Sequence, residues 1–458
     1  MPGTYSYLTF AQLKTQFLAR LDDYLGVYWI NSGTYNEVGD YLIEALRTWQ
    51  AYAGYWRDRG HLNGIAATQV FWDLPSTLLD ATETTKILSY NVKDQDLVAM
   101  IQYHLIEPVT GNSWTGSDQF NLADLTNALQ NRRNQLLEDT GIVVTNSTIN
   151  LTVSPPSGRV PLPDSVIDVR RVAWRAVAPS TDVIPLWPAD EWAFSAFHPD
   201  WNLNAETPSM HSVIGPPPLT LQLSPVPIAS GNLELITVNA GANLDPTTGV
   251  LLGVPDNFSW AVKWGALADL LSRRGQAFDP ARAQYCQQRW QQAEDLIRVS
   301  PCVITGAINE IMTFVQPIGD LDAFNPMWEV TNGFPSQIGT AGFNMIALSP
   351  PPDSTQPYSF TLDVVRNAVI PSADGDEIQL GREEIDVILD YAVHLAAFKM
   401  GGQEFLSTVP LYQQMVDHAT VYNDRLRGSS VYLSVMQMES WQEAKIRPRR
   451  ESDVQLSA

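Results

Sequence analysis

Asp190, Glu191, Trp192, Phe194, Phe197, His198, Asp200 and Trp201 crowd carboxylates and aromatic rings into one short stretch. Glycoside hydrolysis needs an acid and a base or nucleophile flanking one bond, and ring faces suit the stacking of sugars. A plainer reading makes the same stretch a short amphipathic helix capping a sheet, with Trp192 and Phe197 buried. The plainer reading is preferred, because a chain with 50 Asp and Glu is bound to place carboxylates side by side somewhere.

Other candidate chemistry is thinner. His61, His104, His198, His211, His394 and His418 never fall at the short spacings of a metal site, so core or surface roles are expected for each. The run Ser372 to Glu377 is rich in oxygen ligands, but Ile378 and Ile385 stand where a calcium loop would need further ones, so a solvated turn is expected. Phosphate-loop, dinucleotide, nucleophile-elbow, zinc-protease and kinase signatures are all missing. Cys286 and Cys302 are too few for a disulfide framework and read as small core residues. No catalytic residue, cofactor or metal is expected.

The whole chain sets further bounds. Its 458 residues exceed a single core. Fourteen Trp, 16 Tyr and 15 Phe supply ample apolar surface for burial. A formal charge of −22 repels nucleic acid and argues against tight DNA binding. No apolar run approaches the roughly 20 residues of a membrane helix, so a soluble chain made in the cytosol is expected, without membrane contact.

Thr9 is a candidate helix cap before Phe10, Leu13, Phe17, Leu18 and Leu21 at helical spacing, and Tyr35 to Arg59 reads as a second helix. Helices are also expected over Asp94 to Ile106 and Leu122 to Leu137, the latter opening on NLADL, an echo of the earlier TFAQL. From Val143 the texture turns to β-branched residues between prolines, which predicts short strands.

One phrase occurs twice. LTLQLSPVP, from Leu219, is followed by the strand Leu233 to Val238 and two helices, while MIALSPPP, from Met345, is followed by the strand Phe360 to Val365 and two helices. Leu221, Leu223, Ser224, Pro225 and Pro227 align with Ile346, Leu348, Ser349, Pro350 and Pro352 at an offset of 125, and Tyr285, Gln287 and Arg298 with Tyr412, Gln414 and Arg425 at 127. In each copy the two strands are expected to pair as a hairpin covered by the helix pair.

The expected fold class is α+β: helical bundle elements with small antiparallel sheets and an internally duplicated hairpin plus helix-pair module. Four regions follow: mainly helical 1–142, the first module 143–300, the second module 301–428, and an extended arm 429–458. The arm concentrates Lys445, Arg447, Arg449 and Arg450, which are expected to bind a partner's acidic surface rather than phosphate.

The order of helix pair, LPDSVIDVRRVAWR, proline-bounded strand phrase, VPDNFSWAVKWGALADLLSRRGQ and a Tyr-bearing second helix resembles the head-to-tail adaptor and neck proteins of tailed bacteriophages. The resemblance implies a structural virion protein, assembled in the host cytoplasm and without enzymatic activity. It implies a homo-oligomeric ring between portal and tail, with phage portal and tail or neck proteins as partners and DNA passing through unbound. The alternative is a glycan-binding or glycoside-hydrolysing tail protein using Trp192 to Trp201.

Overall fold

The computed structural model describes residues 7–26, 28, 29, 31, 36–62, 65–80, 87–105, 120–151, 158–176, 183–275, 278–300, 302–309, 311–354 and 358–423. Among them the helices are α1 (Phe10–Arg20), α2 (Glu37–Ala53), α3 (Leu74–Thr77), α4 (Asp94–Leu105), α5 (Leu122–Thr140), α6 (Glu191–Phe197), α7 (Ser259–Leu271), α8 (Pro280–Val299), α9 (Ile318–Phe324), α10 (Arg382–Met400) and α11 (Gly402–Tyr422). With the sheets below they make an α+β fold.

Local chemistry sets the helix ends. Thr9 and Gln12 close a capping box on α1, and Asn121 and Asp124 do the same on α5. The echo between TFAQL and NLADL thus marks a shared cap. α2 stops earlier than Arg59, because Gly54 takes the left-handed conformation at φ 54°, and the chain then becomes the strand Arg57–Leu62. Gly141 ends α5 the same way at φ 60°.

An inner unit follows from α4 to α8. One sheet runs in the order Thr145–Leu151, Gly231–Asn239, Val166–Ala176 and Val183–Pro185; a second runs Arg159–Pro161, Thr220–Ser224, Met210–Ile214 and Trp187–Pro188. Val160, Trp174, Leu221, Leu223, Leu233 and Leu235 form one buried cluster drawn from both sheets, the core of a sandwich. α4, α5, α7 and α8 pack on one another.

An outer unit repeats this plan with pieces from both ends of the chain. Its eight-stranded sheet runs Phe71–Asp73, Met345–Ser349, Gln337–Ala341, Ile311–Pro317, Val303–Ile308, Phe360–Val365, Arg57–Leu62 and Leu78–Leu79. Ile311–Pro317 joins two layers: its first half pairs antiparallel with Val303–Ile308, its second half parallel with Gln337–Ala341. Trp187–Pro188 of the inner unit likewise pairs parallel with Met210–Ile214. Strand registers then match at constant offsets, 87 for Asp58 and Thr145 or Leu62 and Ile149, and 127 for Trp187 and Phe314, Met210 and Gln337, or Leu233 and Phe360. α6 and α9 keep the 127 offset, as do Leu251, bridged to Lys93, and Ile378, paired with Leu8. By these pairings α1 corresponds to α4 and α2 to α5.

The duplicated strand phrase does not make hairpins, which corrects the expected pairing. Thr220–Ser224 bonds to Met210–Ile214 and Arg159–Pro161, whereas Gly231–Asn239 bonds to Thr145–Leu151 and Val166–Ala176 in the other layer. Met345–Ser349 and Phe360–Val365 are separated in the same manner. Alternation defines which face of a strand is apolar but not which neighbour it bonds. Strand pairing also crosses the expected boundaries at 142 and 300, since Arg57–Leu62 lies beside Phe360–Val365 and Phe71–Asp73 beside Met345–Ser349. The helices of both units share one buried cluster.

Candidate interaction faces

Where the units meet, charged side chains are buried and answered. Lys263 of α7 has its ammonium 2.5 Å from the Glu44 carboxylate of α2, and it donates to His104 Nε2 at 2.9 Å. Trp264 Nε1 donates to the other Glu44 oxygen at 3.0 Å. Burial, reinforced by the Lys263 charge, holds the His104 pKa well below the usual imidazole range, so its ring is neutral and free to accept. Burial lowers the Lys263 pKa as well, opposed by Glu44.

Arg289 of α8 is fully buried and donates to Tyr391 Oη at 2.6 Å. Its guanidinium lies 3.9 Å from the Tyr412 ring centroid and 4.9 Å from that of Trp260, so aromatic faces surround the charge. Tyr285 Oη lies 2.6 Å from His394 Nε2, and Tyr412 donates to Gln292 Oε1 at 2.6 Å, each joining one unit to the other.

Among the strands the contact is more specific. Arg171 of the inner unit grips Asp322 of α9 through Nε at 2.5 Å and Nη2 at 2.7 Å, and its Nη2 also reaches Glu329. Burial pushes the Glu329 carboxyl up to about 7, against the pull of Arg171. Beside it, the outer unit's turn at Gly342 lies on the inner unit's α5 terminus. Phe343 N–H donates to Ile142 O at 2.7 Å. Asn344 closes the clasp, its Oδ1 accepting from Val144 N–H at 2.9 Å and its Nδ2 donating to Val144 O at 2.8 Å. Sequence reasoning missed Arg171, Asp322, Glu329 and Asn344, because residues 151 to 200 positions apart carry no periodic signal.

The aromatic stretch of the inner unit folds as expected in outline and differs in detail. Asp190 caps α6 by accepting from Ala193 N–H at 2.7 Å, and Glu191 lies 3.9 Å from Arg159. Phe194 is the buried residue, edge-on to Trp201 at 5.3 Å between centroids. Trp192 and Phe197, expected to be buried, are 85% and 73% exposed. A seven-residue helix has one inward face, and Phe194 fills it. Phe197 and Trp187, the latter also exposed, border an open groove that includes His198 and Met210, while Trp192 stands out into solvent away from its lining.

The remaining candidates divide simply. Asp376 Oδ2 accepts from Ser372 and Ala373 N–H at 2.7 and 2.8 Å, closing the expected turn. Cys286 and Cys302 are buried and are not joined in a disulfide. No cluster of His, Cys, Asp or Glu among the described residues is arranged to hold a metal ion. Lys445, Arg447, Arg449 and Arg450, with the whole 429–458 arm, lie outside the described residues.

Two four-helix sets, each with a two-layer strand unit, account for most of the described residues. Residues 95–300 match the family model of the SU10 adaptor protein. The match starts in the first turn of α4 and ends one residue past α8, so it spans the inner unit from end to end. It bears out the resemblance to phage head-to-tail adaptors over less than half of the chain. No curated protein matches the chain. No helix among the described residues is long and apolar enough to cross a membrane.

Proposed function

We propose that this chain is a structural component of a tailed phage virion, a head-to-tail adaptor whose copies stand as a ring between portal and tail and line a passage for DNA. The observation that carries the reading is the agreement between the matched segment and one complete unit, helices and sandwich together. The charge of −22 supports it, because a negative lumen lets a polyanion slide without binding. Portal and tail or neck proteins are the expected partners, and the chain does no catalysis in this role. Imaging of the intact particle tests the reading: density for this chain at the head–tail junction is expected, and its consistent absence from purified virions would reject it.

The exposed Trp187, Trp192 and Phe197 favour glycan binding as the second reading. Titration of the purified chain with host polysaccharide decides it, since an adaptor binds none while a glycan-binding face shows saturation that Trp192→Ala removes.

A further inference from the structure

We propose that successive copies of this chain join through the contact that already joins its own two units, so that each chain fills two neighbouring positions of a ring. The inference rests on the ring reading above and adds its interface and its count.

The internal contact runs one way. The outer unit presents the turn Gly342 to Asn344, and the inner unit receives it at Gly141 to Val144. A Cβ on Gly342 would lie 2.9 Å from Gly141 O and from Ile142 O, a measure of how tightly the turn is seated. The inner unit has the corresponding turn, Gly215 to Pro218, and among the described residues it touches no receiver: all four residues are exposed, and a Cβ on Gly215 would meet nothing described within 4 Å. The outer unit has the corresponding receiver, Gly54 to Arg57, where Tyr55 and Arg57 are exposed. The helices agree: Glu44 of α2 is 3% exposed in the contact, while its counterpart Asn131 of α5 is exposed. A two-fold contact would use both turns and both receivers and close on itself. A contact with unlike faces leaves one of each kind free, and repetition produces a ring or a filament.

The free faces suit each other. Arg171, Asp322 and Glu329 of the internal contact correspond to Thr305 on the outer unit's receiver and Ser195 and Asn202 on the inner unit's turn-bearing face, so the charge and its answering carboxylates are replaced together. Pro216, Pro217 and Pro218 have no N–H for a backbone clasp like that of Phe343. The receiver offers an aromatic ring in its place: Tyr55 is held against Trp49 and Tyr422 at 5.3 and 5.8 Å.

A cysteine pair tests the contact in the full-length chain. Pro217→Cys with Tyr55→Cys, mildly oxidised under assembly conditions, is expected to run on a denaturing gel as a ladder of two, three and more chain masses. Each single variant is expected to run as one chain, since Cys286 and Cys302 are buried. Dimers from Pro217→Cys alone would mean that turn meets turn and would overturn the inference. Rings seen by electron microscopy without a ladder would overturn it while leaving the ring intact. Monomers alone, with and without portal protein, would remove the ring reading and this inference together. In a reconstructed ring the units must number twice the chains.

Discussion

At the scale of residues, the buried charges decide how the units hold together and how they answer to pH. Removing one partner of a buried pair leaves the other uncompensated, which typically costs about 3–5 kcal/mol. Lys263→Met is therefore expected to lower stability by that order in urea denaturation, and adding Glu44→Leu is expected to recover part of the loss. Burial also depresses His394 to about 3 and His211 to about 4. In the unfolded chain both titrate near 6.5. Depressed values mean that the unfolded state takes up protons first, so this contribution is complete above pH 6.5 and is lost as pH falls towards 4 and 3. Asp40, raised to about 7 chiefly by burial, has the opposite sign: its contribution is complete below an unfolded value of 3.8 and is lost as pH rises through 7. Urea midpoints across pH 4 to 6.5 should fall less steeply for His394→Gln than for the parent. Parallel curves would place the titration elsewhere.

At the scale of elements, equivalent positions have unequal surroundings, and glycine shows it. Gly342 at φ +58° and Gly215 at φ +90° occupy matching turns, but only the first meets backbone oxygens. Gly342→Ala must push the turn off Gly141 and Ile142, which breaks the clasp as well as straining the backbone. A loss of about 2–3 kcal/mol is expected, against about 1 kcal/mol for Gly215→Ala, read from thermal or urea unfolding of the unassembled chain. Equal losses would argue that the clasp contributes little. α2 and α5 teach the same lesson: both end at a left-handed glycine before a strand, but α2 is covered nearly all round while α5 keeps a polar outer face.

At the scale of the molecule, one unit of the chain is inserted between two strands of another, after Leu79 and before Val303. Shared burial among α1, α2, α4, α5, α7, α8, α10 and α11 makes separate unfolding of either unit unfavourable. A single cooperative transition is expected in calorimetry, and two resolved transitions would contradict the shared core. The basic arm belongs to this scale too. We propose that Lys445, Arg447, Arg449 and Arg450 bind an acidic face of a neighbouring protein, so that removal of 445–458 weakens assembly without lowering the melting temperature. An unchanged oligomer in sedimentation would set that role aside.

Much of this was legible from local chemistry. The cap at Thr9, the echo of TFAQL in NLADL, the helical spacing of Leu13, Phe17 and Leu18, and the repeated strand phrase all act over a few residues, where backbone and side-chain preferences suffice. The offsets of 125 and 127 were also visible before any strand was placed. Other features were decided only by the tertiary structure: the separation of each strand phrase into two layers, the return of Arg57–Leu62 to a strand three hundred residues away, the exposure of Trp192 and Phe197, and the Arg171 grip on Asp322 and Glu329. Periodicity tells a strand which face is apolar, but hydrogen-bonding edges are alike in every strand. The choice of partner therefore rests on the joint burial of distant segments, which no local pattern encodes.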